Sequence, residues 1–441
     1  MERRRLPLVA VAALILGGCS EQTAEPSESA EDLSTPAQVP AEPPSKPGLL
    51  PSGELTALDG FAVSVFHEGV GSGARHLVVR GNGDVLVARR DGTLVALRDS
   101  NGDGQAEQRE ERELPITTGM ALHNGYLYFS DTVSVRRLPL DDALLPQGEP
   151  EAVVSGFPEQ NSHAAKTLAF DGDGRLYVNV GAPSNACQKQ SRTAGSPGQQ
   201  PCPELERQAA VWRFPAAAVG LDQSDGERFI TGVRNVIAMD WNESARALYF
   251  AMHGRDQLNS LWPDLFDEDD NARLPAEEFH RAEAGANYGW PYTYFDPFTN
   301  RRVAAPEYGG DGEQEAEAGR YAEPLHAFPA HWAPNDLLFY AGEQFPPRYA
   351  GGAFIAWHGS WNRAPQPQEG YRVTFVPFAD GALSAAPADF LGGFAGTDDI
   401  AAPGDAEYRP MGLGVGPDGA LYVGDTQKGR IWRVTYTGSA G

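Results

Sequence analysis

The sequence predicts an all-β chain folded as a six-bladed β-propeller, and three observations carry that reading. They are a hairpin unit repeated six times, echoes of a third strand, and a composition dense in turn formers. The unit is a short apolar strand, a turn usually containing Gly, and a second strand. Its copies are LVVRGNGDVLVA (77–88), MALHNGYLYFSD (120–131), LAFDGDGRLYVNV (168–180), IAMDWNESARALYFAM (237–252), LLFYAGEQFPPRYAGGAFIAW (337–357) and LGVGPDGALYVGD (413–425). Asn-Gly, Asp-Gly and Gly-Gly mark most turns because tight hairpins favour positive φ, and the flanks are rich in Val, Leu, Tyr and Phe. The fourth copy has no Gly at its tip and the fifth has a long turn. VWRF (211–214) and IWRV (431–434) read as third strands. With 50 Gly and 35 Pro in 441 residues, turns are abundant, and helical spacing is scarce outside PAEEFHRAEA (275–284). An array of β-sandwiches is the alternative architecture.

The N-terminus lies outside this repeat. Arg3, Arg4 and Arg5 precede the apolar run Leu6 to Leu16, and Leu16-Gly17-Gly18-Cys19 follows. This pattern resembles a bacterial lipoprotein signal with its lipobox, and the run is too short to span a bilayer. The resemblance implies a signal peptide over 1–18, lipidation of Cys19, and attachment to the bacterial cell envelope. Ser20 stands where Asp would signal retention at the inner membrane, so the expected place is the outer membrane, facing the periplasm. Residues 21–50 hold six Pro, six acidic residues and no aromatic, so 19–50 reads as a disordered tether and 51–441 as the propeller domain. The formal net charge of −25 disfavours nucleic acid and anionic membrane faces as partners, leaving the lipid anchor as the expected membrane contact.

With Cys19 acylated, Cys187 and Cys202 remain, both in the polar loop 183–206. An oxidising compartment favours a disulfide between them that pins a long insertion; two free thiols are the alternative. Neither a CxxC pair nor a His/Cys cluster points to structural zinc.

Hairpin geometry then selects one face. Residues just before a first strand and just after a second strand share one end of the blade. Before first strands stand His163, Lys166, Arg234, Asn235, Asn335, Asp336 and Arg409. After second strands come His253, Gly254, Arg255, Asp256, His358, Ser360, Asn362 and Asp425. Singly, each reads as ordinary loop chemistry. Together, three His and three Arg on one face of an acidic protein suit an anionic, planar ligand held by guanidinium forks, with a neutral His able to take a hydroxyl proton. Tyr288, Trp290, Trp332 and Trp361 would offer stacking surfaces or core packing.

Asp99, Asn101, Asp103, Gly104 and Glu110 satisfy D-x-N-x-D-G-x5-E, the spacing of a Ca²⁺-binding loop. TLVALRD before it reads as a strand, so the loop is not a helix-flanked EF-hand. Asp267 to Asp270 lacks that spacing and reads as solvated surface.

Nearly the whole chain from Leu55 to Val434 resembles the glucose/sorbosone dehydrogenase family, sugar-oxidising quinoproteins that bind pyrroloquinoline quinone (PQQ). The marks are HAAKTLAFDGDGRLYVNVGAPSNAC (163–187), GVRNVIAMDW (232–241), ANYGWPY (286–292), GGAFIAWHGSWNR (351–363) and YRPMGLGVGPDGALYVGD (408–425). The resemblance implies oxidation of an aldose or sorbosone-like sugar, with His163 as general base and electrons leaving to a quinone or cytochrome. It places Arg234 and Asn235 near the PQQ carbonyls, Arg409 at a PQQ carboxylate, and His253 and His358 beside the cofactor. It also assigns the backbone carbonyls of Gly254 and Arg255 to Ca²⁺. This chain differs at Ser162, where the glucose-oxidising branch has an acid, at Glu407, where a second cofactor arginine is expected, and at Thr118, where relatives carry His. No lysine matches the family's quinone-binding lysine. Two other functions fit a propeller: a Ca²⁺-dependent, lactonase-like hydrolase using Asn335, Asp336 and Asp425, and a non-catalytic surface protein binding a glycan or protein.

Overall fold

In the computed structural model, residues 49–438 are described, and they form six sheets of four or more strands plus two two-stranded hairpins. The expected signal peptide, Cys19 and most of the expected tether lie outside the described residues. Among those described, no helix is long and apolar enough to cross a membrane.

Each repeat of the sequence becomes the inner hairpin of one antiparallel blade. The first blade is Ala74–Val79, Val85–Arg89, Thr93–Arg98 and Gln108–Glu113; the second is Met120–His123, Tyr126–Ser130, Val135–Pro139 and Glu151–Ser155. The third is Leu168–Phe170, Arg175–Val180, Ala210–Pro215 and Glu227–Thr231, and the fourth is Ala238–Asn242, Ala247–Met252, Glu277–Arg281 and His326–Phe328. The fifth is Pro334–Phe339, Ala353–Trp357, Arg372–Val376 and Ala388–Gly392. The innermost strands touch in sequence order and the sixth returns to the first, so the ring closes. Closure removes the exposed edges an open sheet would present.

The closing device joins the two ends of the domain. Pro410–Val415, Leu421–Asp425 and Ile431–Tyr436 make the inner strands of the sixth blade, and Phe61–His67 from the beginning of the domain pairs with Ile431–Tyr436 as its outer strand. A preceding hairpin, Leu49–Ser52 with Leu55–Leu58, extends the fifth blade through Ala388–Gly392. Among the described residues, strand is already present at Leu49, two residues before the boundary read from the sequence. Phe61 inserts edge-on between Phe345 and Phe390, each at 4.8 Å, and against Tyr349 at 5.3 Å. Phe61→Ala should cost about 3–5 kcal/mol because it empties this junction. Thermal unfolding checks it, and an unchanged Tm would show that the closing strand carries no such load.

The segment 275–284 is a strand, Glu277–Arg281, where its spacing suggested a helix. Tertiary context overrides propensity here: Glu277, Glu278, Phe279 and His280 are all buried between neighbouring strands. The helices lie just before it, Leu258–Leu261 and Glu268–Arg273, the second capped by Asp267 and Asp270 from the acidic run.

Candidate active site

At the end of the channel where the first strands begin and the second strands finish lies a cavity of about 640 Å³. Nine of the residues singled out by strand geometry line it: His163, Arg234, Asn235, His253, Gly254, Asp256, Asn335, His358 and Arg409. The others are used elsewhere. Lys166 lies fully buried behind the wall, its Nζ donating to the Ala164 carbonyl at 2.6 Å, and burial lowers its pKa to about 7. Asp336 accepts from the Leu337 and Leu413 amides, and Asp425 from the amides of Arg409, Gln427, Lys428 and Gly429. Ser360 bonds Gln368, and Asn362 gives its carbonyl to Asn271.

His163 stands in the left-handed region at φ 50°, a strained conformation for a side chain of this size. Its Nδ1 lies 2.6 Å from the Ala182 carbonyl oxygen. A carbonyl only accepts, so Nδ1 carries the proton and Nε2 keeps the free lone pair. Burial and the Arg234 guanidinium push its pKa down to about 3, which keeps the ring neutral at physiological pH. The pose needs Gly181, because a Cβ there would come within 2.7 Å of the His163 Cβ and 2.8 Å of Asn235 Oδ1.

Arg234 is almost consumed by protein contacts. Nε donates to the Asn185 carbonyl (3.3 Å), Nη2 to Asn185 Oδ1 (3.0 Å) and Asp256 Oδ2 (2.7 Å), and Nη1 to the Gly254 carbonyl (2.7 Å). Of five N–H donors, one on Nη1 remains for a ligand. Asn185 belongs to the 183–206 insertion, which a disulfide between Cys187 and Cys202 closes with Cα atoms 6.2 Å apart. Asn235 is held by the fully buried Asn179, whose Nδ2 donates to its Oδ1 at 3.4 Å.

One metal expectation meets a competing contact and another requires correction. The Gly254 carbonyl receives the Arg234 guanidinium, whose charge opposes a cation there, and the Arg255 side chain pairs with buried Glu307. In the 99–110 loop, Glu107 rather than Glu110 joins Asp99 and Asp103, because the chain enters strand Gln108–Glu113 and pairs Glu110 opposite Ala96. Asn101 donates within this loop to Asp103 and Glu107.

The remaining wall is cationic. Arg409 donates to the His358 and Gly359 carbonyls and Arg75 to Thr118 Oγ1, and among the described residues neither has a carboxylate within ion-pair distance. Arg75 titrates near 10 because it is buried, with Arg90 and Arg409 beside it. His358 bonds Thr426 Oγ1 (2.8 Å), and burial with the Arg409 and Arg75 charges holds its pKa well below the usual value. His253 Nε2 meets Asn335 Oδ1 at 3.1 Å, while its buried Nδ1 has no partner.

Arg75, Arg90, Glu277 and His331 also line the cavity and were not singled out in the sequence. Arg75 stands just ahead of the repeat read at 77–88, so the rule that found Arg234 applies to it, although the strand itself starts at Ala74; Glu277 was hidden by the helical reading. Glu407, at the place of an expected arginine, pairs with Lys428 on the surface. Thr118, in place of histidine, orients Arg75. Tyr288, Trp290 and Trp332 are buried in the core, and Trp361 is 51% exposed at the mouth.

A family model described as TrAA12-like matches residues 55–437. Among curated relatives, an uncharacterized protein of Borreliella burgdorferi is 28% identical over 285 residues, 64% of this chain and 63% of its own length. A pyrroloquinoline quinone-dependent pyranose dehydrogenase of Coprinopsis cinerea is 33% identical over 102 residues, 20% of this chain and 12% of that protein. The matches therefore span less than two thirds of either relative. Of solved structures, the calcium form of Trichoderma reesei carbohydrate-active enzyme family AA12 is similar at TM-score 0.71 and 19% identity, covering 88% of this chain and 99% of that one. The holo PQQ domain of the Coprinopsis cinerea pyranose dehydrogenase gives 0.67 at 19% identity, covering 89% and 98%. PQQ-bound aldose sugar dehydrogenase of Streptomyces coelicolor gives 0.52 at 17% identity, covering 86% and 99%. At these identities the structural likeness shows the propeller fold.

Proposed function

The chain belongs to the TrAA12-like family, and from that premise we propose that it is a PQQ-dependent dehydrogenase of a small sugar. The observation that carries the proposal is one cavity that sets the free Nε2 of a neutral His163 among Arg75 and Arg409, two guanidinium groups without carboxylate partners among the described residues. A planar polycarboxylate answers that unpaired charge, and the unpartnered Nδ1 of His253 adds an acceptor at the same wall. The donor set thus fits PQQ, which when bound supplies a quinone that accepts hydride. Arg75 and Arg409 would hold its carboxylates, and the last Nη1 proton of Arg234 would face it.

His163 then takes the proton of the sugar hydroxyl on Nε2 as the hydride leaves the same carbon, and the Ala182 carbonyl stabilises the imidazolium through Nδ1–H. Asn235 and Asn335 are fixed by neighbours and orient the reacting groups. With Arg234 on the Gly254 carbonyl, the residues do not fit a divalent ion there, and no step is assigned to one. The hydrolase reading loses support because Asp336 and Asp425 spend their oxygens on backbone amides away from the cavity. The non-catalytic reading differs from ours in needing no base.

Calorimetry with PQQ, with Ca²⁺ present and then chelated, tests the proposal. Binding in both conditions is expected; no binding in either overturns the cofactor, and binding only with Ca²⁺ would reassign the Gly254 carbonyl from Arg234 to the ion. We further propose lipid anchoring at Cys19 in the cell envelope, supported by Arg3 to Arg5 and the apolar run before it, and transfer of the electrons to a quinone or cytochrome there.

A further inference from the structure

We propose that Glu277 is a positioning residue whose carboxylate ties two loops of the cavity wall, and through them Arg234 and His358, into the geometry that receives the cofactor. This rests on the PQQ reading above. Glu277 begins the third strand of the fourth blade and is 2% exposed, and its neighbour Glu278 pairs opposite Met252, which brings Glu277 alongside His253. Its Oε2 accepts from the Gly254 amide at 2.9 Å, and its Oε1 accepts from the Ala333 amide at 3.2 Å. One carboxylate thereby joins the loop after the second strand of the fourth blade to the loop before the first strand of the fifth.

Both residues that Glu277 holds by their amides also present their carbonyls to site residues. The Gly254 carbonyl receives Arg234 Nη1, and the Ala333 carbonyl receives the His358 amide at 2.9 Å. The second loop is strained: His331 and Ala333 both sit in the left-handed region, at φ 63° and 58°, without being glycine. Such residues persist only where surrounding contacts over-determine them, and the Glu277 acceptor is one of those contacts. A buried acid with two backbone donors and, among the described residues, no cation in direct contact is costly for packing alone. Burial pushes its pKa up to about 8, so the doubly accepting carboxylate is the form present at pH 9, where the variant below is compared with the unaltered protein. A strand residue facing the channel is held more rigidly than a loop residue, which suits the role.

Glu277→Gln tests this, since the amide keeps the shape and can accept only one of the two N–H groups. The chain has nine His, so selective ¹⁵N labelling gives few ring signals to assign. The His253 and His358 signals should move while those of His67 and His123 stay, and PQQ should bind roughly tenfold or more weakly, as losing a charge-assisted hydrogen bond implies. Unmoved His253 and His358 signals, or an unchanged PQQ affinity, would overturn the proposal. Should the variant not fold, amide exchange in the unaltered protein decides: protected Gly254 and Ala333 amides support the tie, and exchange as fast as in open loops refutes it. If the unaltered protein does not bind PQQ, the cofactor reading fails, and Glu277 is judged on ring signals and amide exchange alone.

Discussion

Replacing His163 by alanine should lower kcat by roughly 10²–10⁴-fold, the range for removing a general base, while PQQ affinity changes little. The separation follows from geometry. His163 offers the cavity a lone pair on Nε2, and the hydrogen bond of its ring runs the other way, from Nδ1 to the Ala182 carbonyl. The unpaired guanidinium charges that would hold the cofactor come from other blades. The same environment sets the pH dependence. A folded-state pKa lowered to about 3 means that the base stays unprotonated well below the ordinary imidazole value of 6.5. The acid limb of kcat should therefore lie below pH 6.5, with loss only as pH falls toward the folded value. Steady-state rates with a dye acceptor from pH 4 to 8 measure this. A His163→Ala variant with undiminished kcat would remove His163 as the base, absence of turnover in the unaltered protein would leave a binding propeller, and an acid limb centred at 6.5 would mean that the ring is solvated.

Removing Arg75 and Arg409 together, as Arg75→Met and Arg409→Met, should weaken PQQ binding by a hundredfold or more. Each hydrogen bond to a charged group is worth about 1.5–3 kcal/mol, and every 1.4 kcal/mol is tenfold in affinity. Methionine keeps much of the side-chain volume, so the change isolates charge and hydrogen bonding from packing. The two charges face one ligand, so the double variant is expected to depart from the sum of the singles. The unbound protein should gain stability, since Arg75 sits beside two like charges without a counter-ion. Calorimetry of the two singles and the double, with melting curves, gives both quantities. Unchanged affinity in the double variant would dismiss the anionic cofactor.

Much of the fold was legible because the inner strands are short apolar runs punctuated by turn residues. Val85 to Ala88 and Leu176 to Val180 are buried on both faces of their blades, and Gly and Asn mark the turns between. Where period and burial disagree, the sequence misleads. Residues 275–284 place Ala276, Phe279 and Ala282 at helical spacing, yet polar Glu277, Glu278 and His280 are buried as well. Arg302 and the Gly254 and Ala333 amides satisfy the two acids from distant parts of the chain. Likewise the spacing rule pointed to Glu110, while the hairpin turned early and left Glu107 facing Asp99 and Asp103.

By itself the sequence determined six hairpins, and with them the face on which His163, Arg234, His253, His358 and Arg409 gather, because strand direction depends only on local order. Only the tertiary structure decided what those groups can do. It spent Arg234 on Asn185, Asp256 and Gly254, left Arg75 and Arg409 without carboxylates, and gave His163 its free Nε2. The physical reason is that charge state, tautomer and spare hydrogen-bonding capacity depend on which groups from other blades desolvate and contact a side chain, and the neighbours along its own strand do not supply them.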